Sequence, residues 1–150
     1  MLIVTPDYAF RIALAAVTAR YADVEACSSF KAARAHLNTT VYDLIATDLR
    51  LHEYNGLHLV YLSRHAANPP RAIVYDKDAD PHIAADVRRA AAFFEIAPRL
   101  LVSLPSYLGG PLPPLDRRQP TAFERRTSPR GGRRMWDRHV VGALATNAPC

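Results

Sequence analysis

The chain has 150 residues, of which 49% are apolar and 22% charged, the composition of a globular protein with one core rather than of a disordered or fibrous chain. No apolar run approaches the roughly 20 residues that cross a bilayer. Met1-Leu2-Ile3-Val4 lacks the basic flank and cleavage site of a signal peptide, so a cytoplasmic address without membrane contact is expected. The net charge of +5 is unevenly placed: residues 1–108 hold 11 basic and 11 acidic side chains, and residues 109–150 hold 8 arginines against 3 acids. That division predicts a neutral folded domain over 1–108 and a basic tail over 109–150. Cys27 and Cys150 stand in no CxxC or Cys/His spacing, which excludes a disulfide framework and a zinc finger.

Leu2-Ile3-Val4 is an unbroken apolar run of β-type residues, and Phe10, Leu14, Val17 and Tyr21 follow at helical spacing. Val24 to Cys27 reads as a second strand. Ser28 or Ser29 caps a helix whose apolar stripe is Phe30, Ala33 and Leu37. Leu44-Ile45-Ala46-Thr47, without polar alternation, is a strand covered on both faces and ends at Asp48. A loop through Asn55-Gly56 leads to a helix marked by Leu57, Val60 and Leu62, broken by Asn68-Pro69-Pro70. Ala72 to Tyr75 is the fourth strand, Pro81 to Ala91 the fourth helix, and Ala92 to Ile96 the fifth strand. Leu100, Leu101, Leu104 and Leu108 mark a fifth helix that Pro105 is expected to kink or shorten. Five βα units with short connections predict a doubly wound α/β fold with a five-stranded parallel sheet, because parallel strands need helical crossovers. Gly109 to Pro114 holds neither helix nor interior strand and reads as a linker. The Arg-, Pro- and Gly-rich stretch after it has no apolar periodicity and is expected to be disordered.

Residues 1–108 resemble the receiver domain of bacterial two-component response regulators. The resemblance rests on Tyr42-Asp43-Leu44-Ile45-Ala46-Thr47-Asp48-Leu49-Arg50-Leu51 followed by Asn55-Gly56-Leu57, which is similar to that family's third strand, its phosphoacceptor Asp and the loop closing on Gly. Pro98 matches the family's Lys-Pro dipeptide, and Phe94 stands at its aromatic switch position. The resemblance implies a flavodoxin-like (CheY-like) strand order of 2-1-3-4-5 with the functional crevice at the carboxyl ends of the strands. It also implies Asp48 as the phosphoacceptor. The family's acidic pair after the first strand matches Thr5 and Pro6, leaving only Asp7 acidic one place on. Its small hydroxyl residue matches Tyr75, and its Lys matches Ala97.

Phosphoryl transfer to a carboxylate needs a cation to neutralise charge, and magnesium is held by carboxylates. With Thr5, Pro6, Tyr75 and Ala97 in the pocket, removal of several charge-stabilising groups predicts impaired phosphorylation, since one such group is worth about 10²–10³ in rate. Two readings of Asp48 stay open: a vestigial carboxylate that fixes the turn by accepting backbone N–H bonds, or an acceptor still modified slowly.

Asp76, Asp78, Asp80 and His82 cluster after the fourth strand, either as cation ligands or, as is ordinary before Pro81, as a helix-capping loop. His36, His52, His58, His65 and His139 lack a metal motif and are expected at the surface, His52 near enough in sequence to pair with Asp48. No GxSxG, P-loop or GxGxxG occurs, and no metal site is expected. In the tail, Arg125-Arg126-Thr127-Ser128-Pro129-Arg130 resembles the arginine half of the PilZ motif, without the Asp/Asn-x-Ser-x-x-Gly element that motif requires. Arg125, Arg126, Arg130, Arg133, Arg134 and Arg138, with Trp136 among them, form either a solubilising end or a contact for nucleic acid or an acidic protein.

Together these readings give a single-domain, response-regulator-like pseudo-receiver that is not an enzyme, holds no cofactor, and acts through protein–protein contact. Its expected partners are a histidine kinase, an output protein or a second copy, docking around Phe94, Leu100 and Leu101. The alternatives are a working phosphorelay receiver using magnesium at Asp48, and a nucleic-acid-binding accessory protein that uses its tail.

Overall fold

A computed structural model describes residues 1–52 and 54–111. The tail expectations, from the proposed linker beyond Pro111 to the arginines and Trp136, lie outside the described residues. The elements are β1 (Leu2–Val4), α1 (Tyr8–Thr18), β2 (Glu25–Cys27), α2 (Phe30–Thr39), β3 (Leu44–Asp48), β4 (Arg50–Leu51), β5 (Tyr54–Asn55), α3 (Leu57–Ser63), β6 (Arg71–Asp76), α4 (Pro81–Arg89), β7 (Phe93–Ile96) and α5 (Ala97–Gly109). The main sheet is parallel throughout, ordered β2-β1-β3-β6-β7. Counted along its five strands this is the order 2-1-3-4-5.

The strands alternate their burial between two helical layers, as a period of two requires. Ile3, Leu44, Ala46, Ile73 and Tyr75 pack with Leu14 of α1 and Leu100 and Leu104 of α5. On the opposite face, Leu2, Val4 and Ile45 meet Phe30 and Ala33 of α2 and Leu59 of α3, while Ala72 and Val74 meet Val60 of α3 and Val87 of α4. Both layers being covered explains why β1, β3 and β6 read as unbroken apolar runs.

Two local features depart from the sequence reading. The stretch after Asp48 is not open loop: β4 and β5 pair antiparallel across a tight turn, with His52 at φ 56. Tyr54 of β5 stacks on Phe30 with ring centroids 4.3 Å apart, which ties the hairpin to α2. The fifth helix runs through Pro105 to Gly109, so Pro105 does not shorten it and Gly109 belongs to the helix rather than to the expected linker. Gly56 is demanded by a close approach, since a Cβ at that position would lie 2.1 Å from the Asp48 carbonyl oxygen.

His36 lies at the surface, its side chain 38% exposed, but it has the carboxylate partner that its sequence context did not suggest. Its Nδ1 lies 2.8 Å from Glu25 Oε2, the same oxygen that accepts the Tyr42 hydroxyl at 2.5 Å, so α2 and the start of β3 clamp the edge strand β2. Tyr42 and, secondarily, His36 hold the Glu25 carboxyl below its ordinary range against the opposing effect of desolvation.

Candidate functional site

Parallel register brings the carboxyl ends of β1, β3 and β6 to one rim: Val4 is opposite Thr47, and Asp48 is opposite Tyr75. Thr5, Asp48, Tyr75 and Asp76 therefore gather although up to 71 positions separate them in sequence. Asp48 is half-buried. Its Oδ1 accepts the Arg50 backbone N–H at 2.8 Å, and its Oδ2 accepts the hydroxyl of the buried Thr5 at 3.3 Å. Burial pushes the Asp48 carboxyl up from its ordinary value and the nearby Asp76 charge adds to this, while the Arg50 N–H, the Thr5 hydroxyl and Lys77 offset only part of the rise.

Asp76 is 4% exposed, a carboxylate at the end of a central strand. Its Oδ1 accepts the Lys77 N–H at 2.7 Å, and its Oδ2 accepts both Arg50 Nη2 at 3.1 Å and Arg50 Nε at 3.3 Å. Arg50 thus serves both carboxylates, Asp48 through its backbone and Asp76 through its guanidinium. In the sequence Arg50 stands inside the family-like segment with nothing to mark a role for it beyond its place two residues after a carboxylate that ends a buried strand.

The cluster Asp76, Asp78, Asp80 and His82 does not act as one unit. Asp76 turns to Arg50, whereas Asp80 caps α4 by accepting the His82 and Ile83 N–H groups at 2.8 and 3.4 Å. Among the described residues no three His, Cys, Asp or Glu side chains converge on a metal position. His52 is exposed at the hairpin turn, and the hydrogen bonds of the Asp48 carboxylate go to Thr5 and Arg50 rather than to it.

The remaining pocket residues complete the rim. Asp7 caps α1 by accepting the Phe10 N–H at 3.0 Å. Arg11 Nη1 donates to the Thr5 carbonyl at 2.8 Å while its guanidinium lies 5.4 Å from the Tyr8 ring centroid. Pro6 offers no side-chain oxygen, and Ala97 opens α5 with a methyl group. Tyr75 fills the space beneath. It is 1% exposed, its ring centroid lies 5.2 Å from that of Phe10, and among the described residues its hydroxyl makes no well-formed hydrogen bond, with the Thr5 hydroxyl near enough to influence it. Desolvation raises its pKa strongly.

A divalent cation of the kind the fold implies needs several free oxygen ligands. Asp76 is already paired with a guanidinium, Asp7 has one oxygen engaged as a helix cap, Thr5 and Pro6 bring no charge, and no three acidic or imidazole side chains converge among the described residues, so the residues present do not fit that ion.

Of the proposed docking residues, Leu100 is fully buried beside Leu104 and belongs to the core, because the i, i+4 stripe of α5 faces the sheet. Phe94 and Leu101 are half-buried, and Val102, one place on, is 83% exposed.

No protein-family model and no curated sequence matches the chain. Solved structures do. A signal receiver domain from Vibrio parahaemolyticus superposes with a TM-score of 0.63 at 18% identity, covering 71% of this chain and 87% of that one. A Burkholderia pseudomallei response regulator, described with a phosphorylated aspartic acid, a calcium ion and citrate, gives 0.63 at 21% identity, over 71% and 64%. A CheY-like receiver domain protein from Methanospirillum hungatei gives 0.62 at 18%, over 71% and 90%. At these identities the likeness is one of fold, and with the strand order it leads to one statement: the chain has the CheY-like, flavodoxin-type fold of receiver domains.

Proposed function

We propose that the chain is a receiver-like signalling module that works by binding protein partners, with a crevice poorly suited to phosphoryl transfer. The observation that carries this reading is Arg50. Its guanidinium neutralises Asp76 from within the chain, at the rim where transfer to Asp48 would require a mobile cation and a second carboxylate. Partner contact is assigned to α4, the edge strand β7 and α5, where Phe94, Leu101 and Val102 leave apolar surface uncovered.

The test is incubation with acetyl phosphate and magnesium, read by intact mass. The expected outcome is a largely unmodified chain, with partial gain in a variant combining Arg50→Asn, Pro6→Asp and Ala97→Lys. The second reading is a working phosphorelay receiver, favoured by the position of Asp48 at the end of β3 and by the phosphorylated aspartic acid of the Burkholderia neighbour. Stoichiometric addition of one phosphoryl group, abolished in Asp48→Asn, would establish that reading instead.

A further inference from the structure

We propose that the cleft between α2 and α3 is a binding site for a small amphipathic carboxylate. It lies at the amino-terminal edge of the sheet, opposite the Asp48 crevice, and is independent of the reading given above. One wall is the second half of α2 and the turn into β3, and the other is the end of α3 and the turn into β6. Together they enclose about 410 Å³, within the range of small-molecule sites.

The chemistry of the lining selects the ligand. Residues 26–42 and 54–75, which supply the whole lining, contain no Asp or Glu. Arg34 contributes a guanidinium that has no ion-pair partner among the described residues, and His65 contributes an imidazole. Asn38 and Asn68 add amide donors. An anion in the cleft is therefore met by donors with no carboxylate in the lining, the neighbouring Glu25 being held by Tyr42 and His36. The Tyr42 hydroxyl and the Ser63 hydroxyl are committed elsewhere, to Glu25 at 2.5 Å and to the Val60 carbonyl at 2.9 Å, so they do not compete for it.

The same cleft leaves apolar surface open at its mouth. Val41 is 81% exposed and Leu62 45%, and Leu37, which also lines the cleft, is partly buried against the core formed with Phe30, Ala33 and Leu59. Burying such a surface favours a hydrocarbon or aryl body over a bare inorganic anion. A single permanent cation with an apolar floor fits a monocarboxylate better than a polyphosphate.

The experiment titrates the full chain, uniformly ¹⁵N-labelled, with octanoate, octanamide and inorganic phosphate, following amide resonances. Octanoate should shift the amides of Leu37, Val41 and His65 saturably. Octanamide should bind about ten-fold or more weakly, the worth of a charge-assisted hydrogen bond. Arg34→Gln, an exposed change that keeps the rest of the spectrum, should lose affinity by about the same factor, and Ala66→Trp should abolish binding by filling the cleft. The proposal is overturned by an absence of saturable shifts, by equal binding of octanamide, or by phosphate binding as well as octanoate. A DNA duplex that shifts these amides where octanoate does not would overturn it in favour of a polyanion surface.

Discussion

Arg50 and Asp76 stand 26 residues apart in sequence, yet the guanidinium places Nη2 3.1 Å and Nε 3.3 Å from one oxygen of a carboxylate that is 4% exposed. The Arg50 side chain is 70% exposed, so solvent screens the pair on one side and its worth is far below that of a fully buried one. Arg50→Ala should cost about 1–2 kcal/mol in chemical denaturation, mostly through the carboxylate left short of donors. The double variant Arg50→Ala with Asp76→Asn should cost less than the sum of the singles. Additive costs would show that the two side chains do not act on each other.

The carboxyls of Asp48 and Glu95 should respond to pH with opposite signs. The Asp48 pKa is raised in the folded chain, so its contribution is fully present below its unfolded value, near about pH 4, and is lost as pH rises through the folded value. Asp48→Asn should accordingly stabilise the protein at neutral pH, and the gain should vanish in acid. Burial pushes Glu95 up, but the Tyr107 hydroxyl at 2.7 Å, the Ile96 N–H at 2.9 Å and the Ser103 hydroxyl at 3.1 Å outweigh it and hold the carboxyl below its ordinary value. Its contribution is present above the unfolded pKa and lost as pH falls through the folded one, so Glu95→Gln should destabilise at neutral pH and not in acid. Thermal melts of both variants across pH check the two signs.

Tyr75 carries a buried hydroxyl that makes no well-formed hydrogen bond among the described residues. Tyr75→Phe removes that group and keeps the ring on Phe10, so stability should be unchanged or rise by up to about 1 kcal/mol. Tyr75→Ser, which empties the space, should cost about 3–5 kcal/mol. A Tyr75→Phe variant that is clearly less stable would show that the hydroxyl is held by a hydrogen bond, from Thr5 or from an ordered water.

A fragment of residues 1–108 should melt cooperatively, because β1 to α5 close both layers over the sheet. Arg71 also donates to the Gly110 carbonyl, a contact the fragment lacks, so its midpoint should lie slightly below that of the full chain. Non-cooperative melting of the fragment would move the boundary into the tail.

The surplus of five positive charges in residues 109–150 predicts that binding to duplex DNA, if the tail provides it, weakens with a log–log salt slope of about −3 to −5. Titration of full chain and fragment at two salt concentrations separates the tail from the domain. Binding retained by the fragment would place the contact on the folded part.

Local patterning alone specified much of this protein. Buried central strands appear as apolar runs at Leu2–Val4, Leu44–Thr47 and Ala72–Tyr75, two helix starts as Ser28 or Ser29 and as the aspartates before Pro81, and the close turn as Gly56, because burial, capping and turn geometry are decided within a few residues. Asp48 at the end of β3 was legible for the same reason. Other features depend on register between distant strands. Only the pairing of β3 with β6 puts Asp76 beside Asp48 and within reach of Arg50, and only the return of α2 over β2 brings His36 and Tyr42 to Glu25. The Arg34 cleft is likewise a property of two helices meeting, and the burial of Leu100 follows from which face of α5 the sheet receives. Ion pairs, clefts and face selection are fixed by tertiary contact, and no periodicity along the chain encodes them.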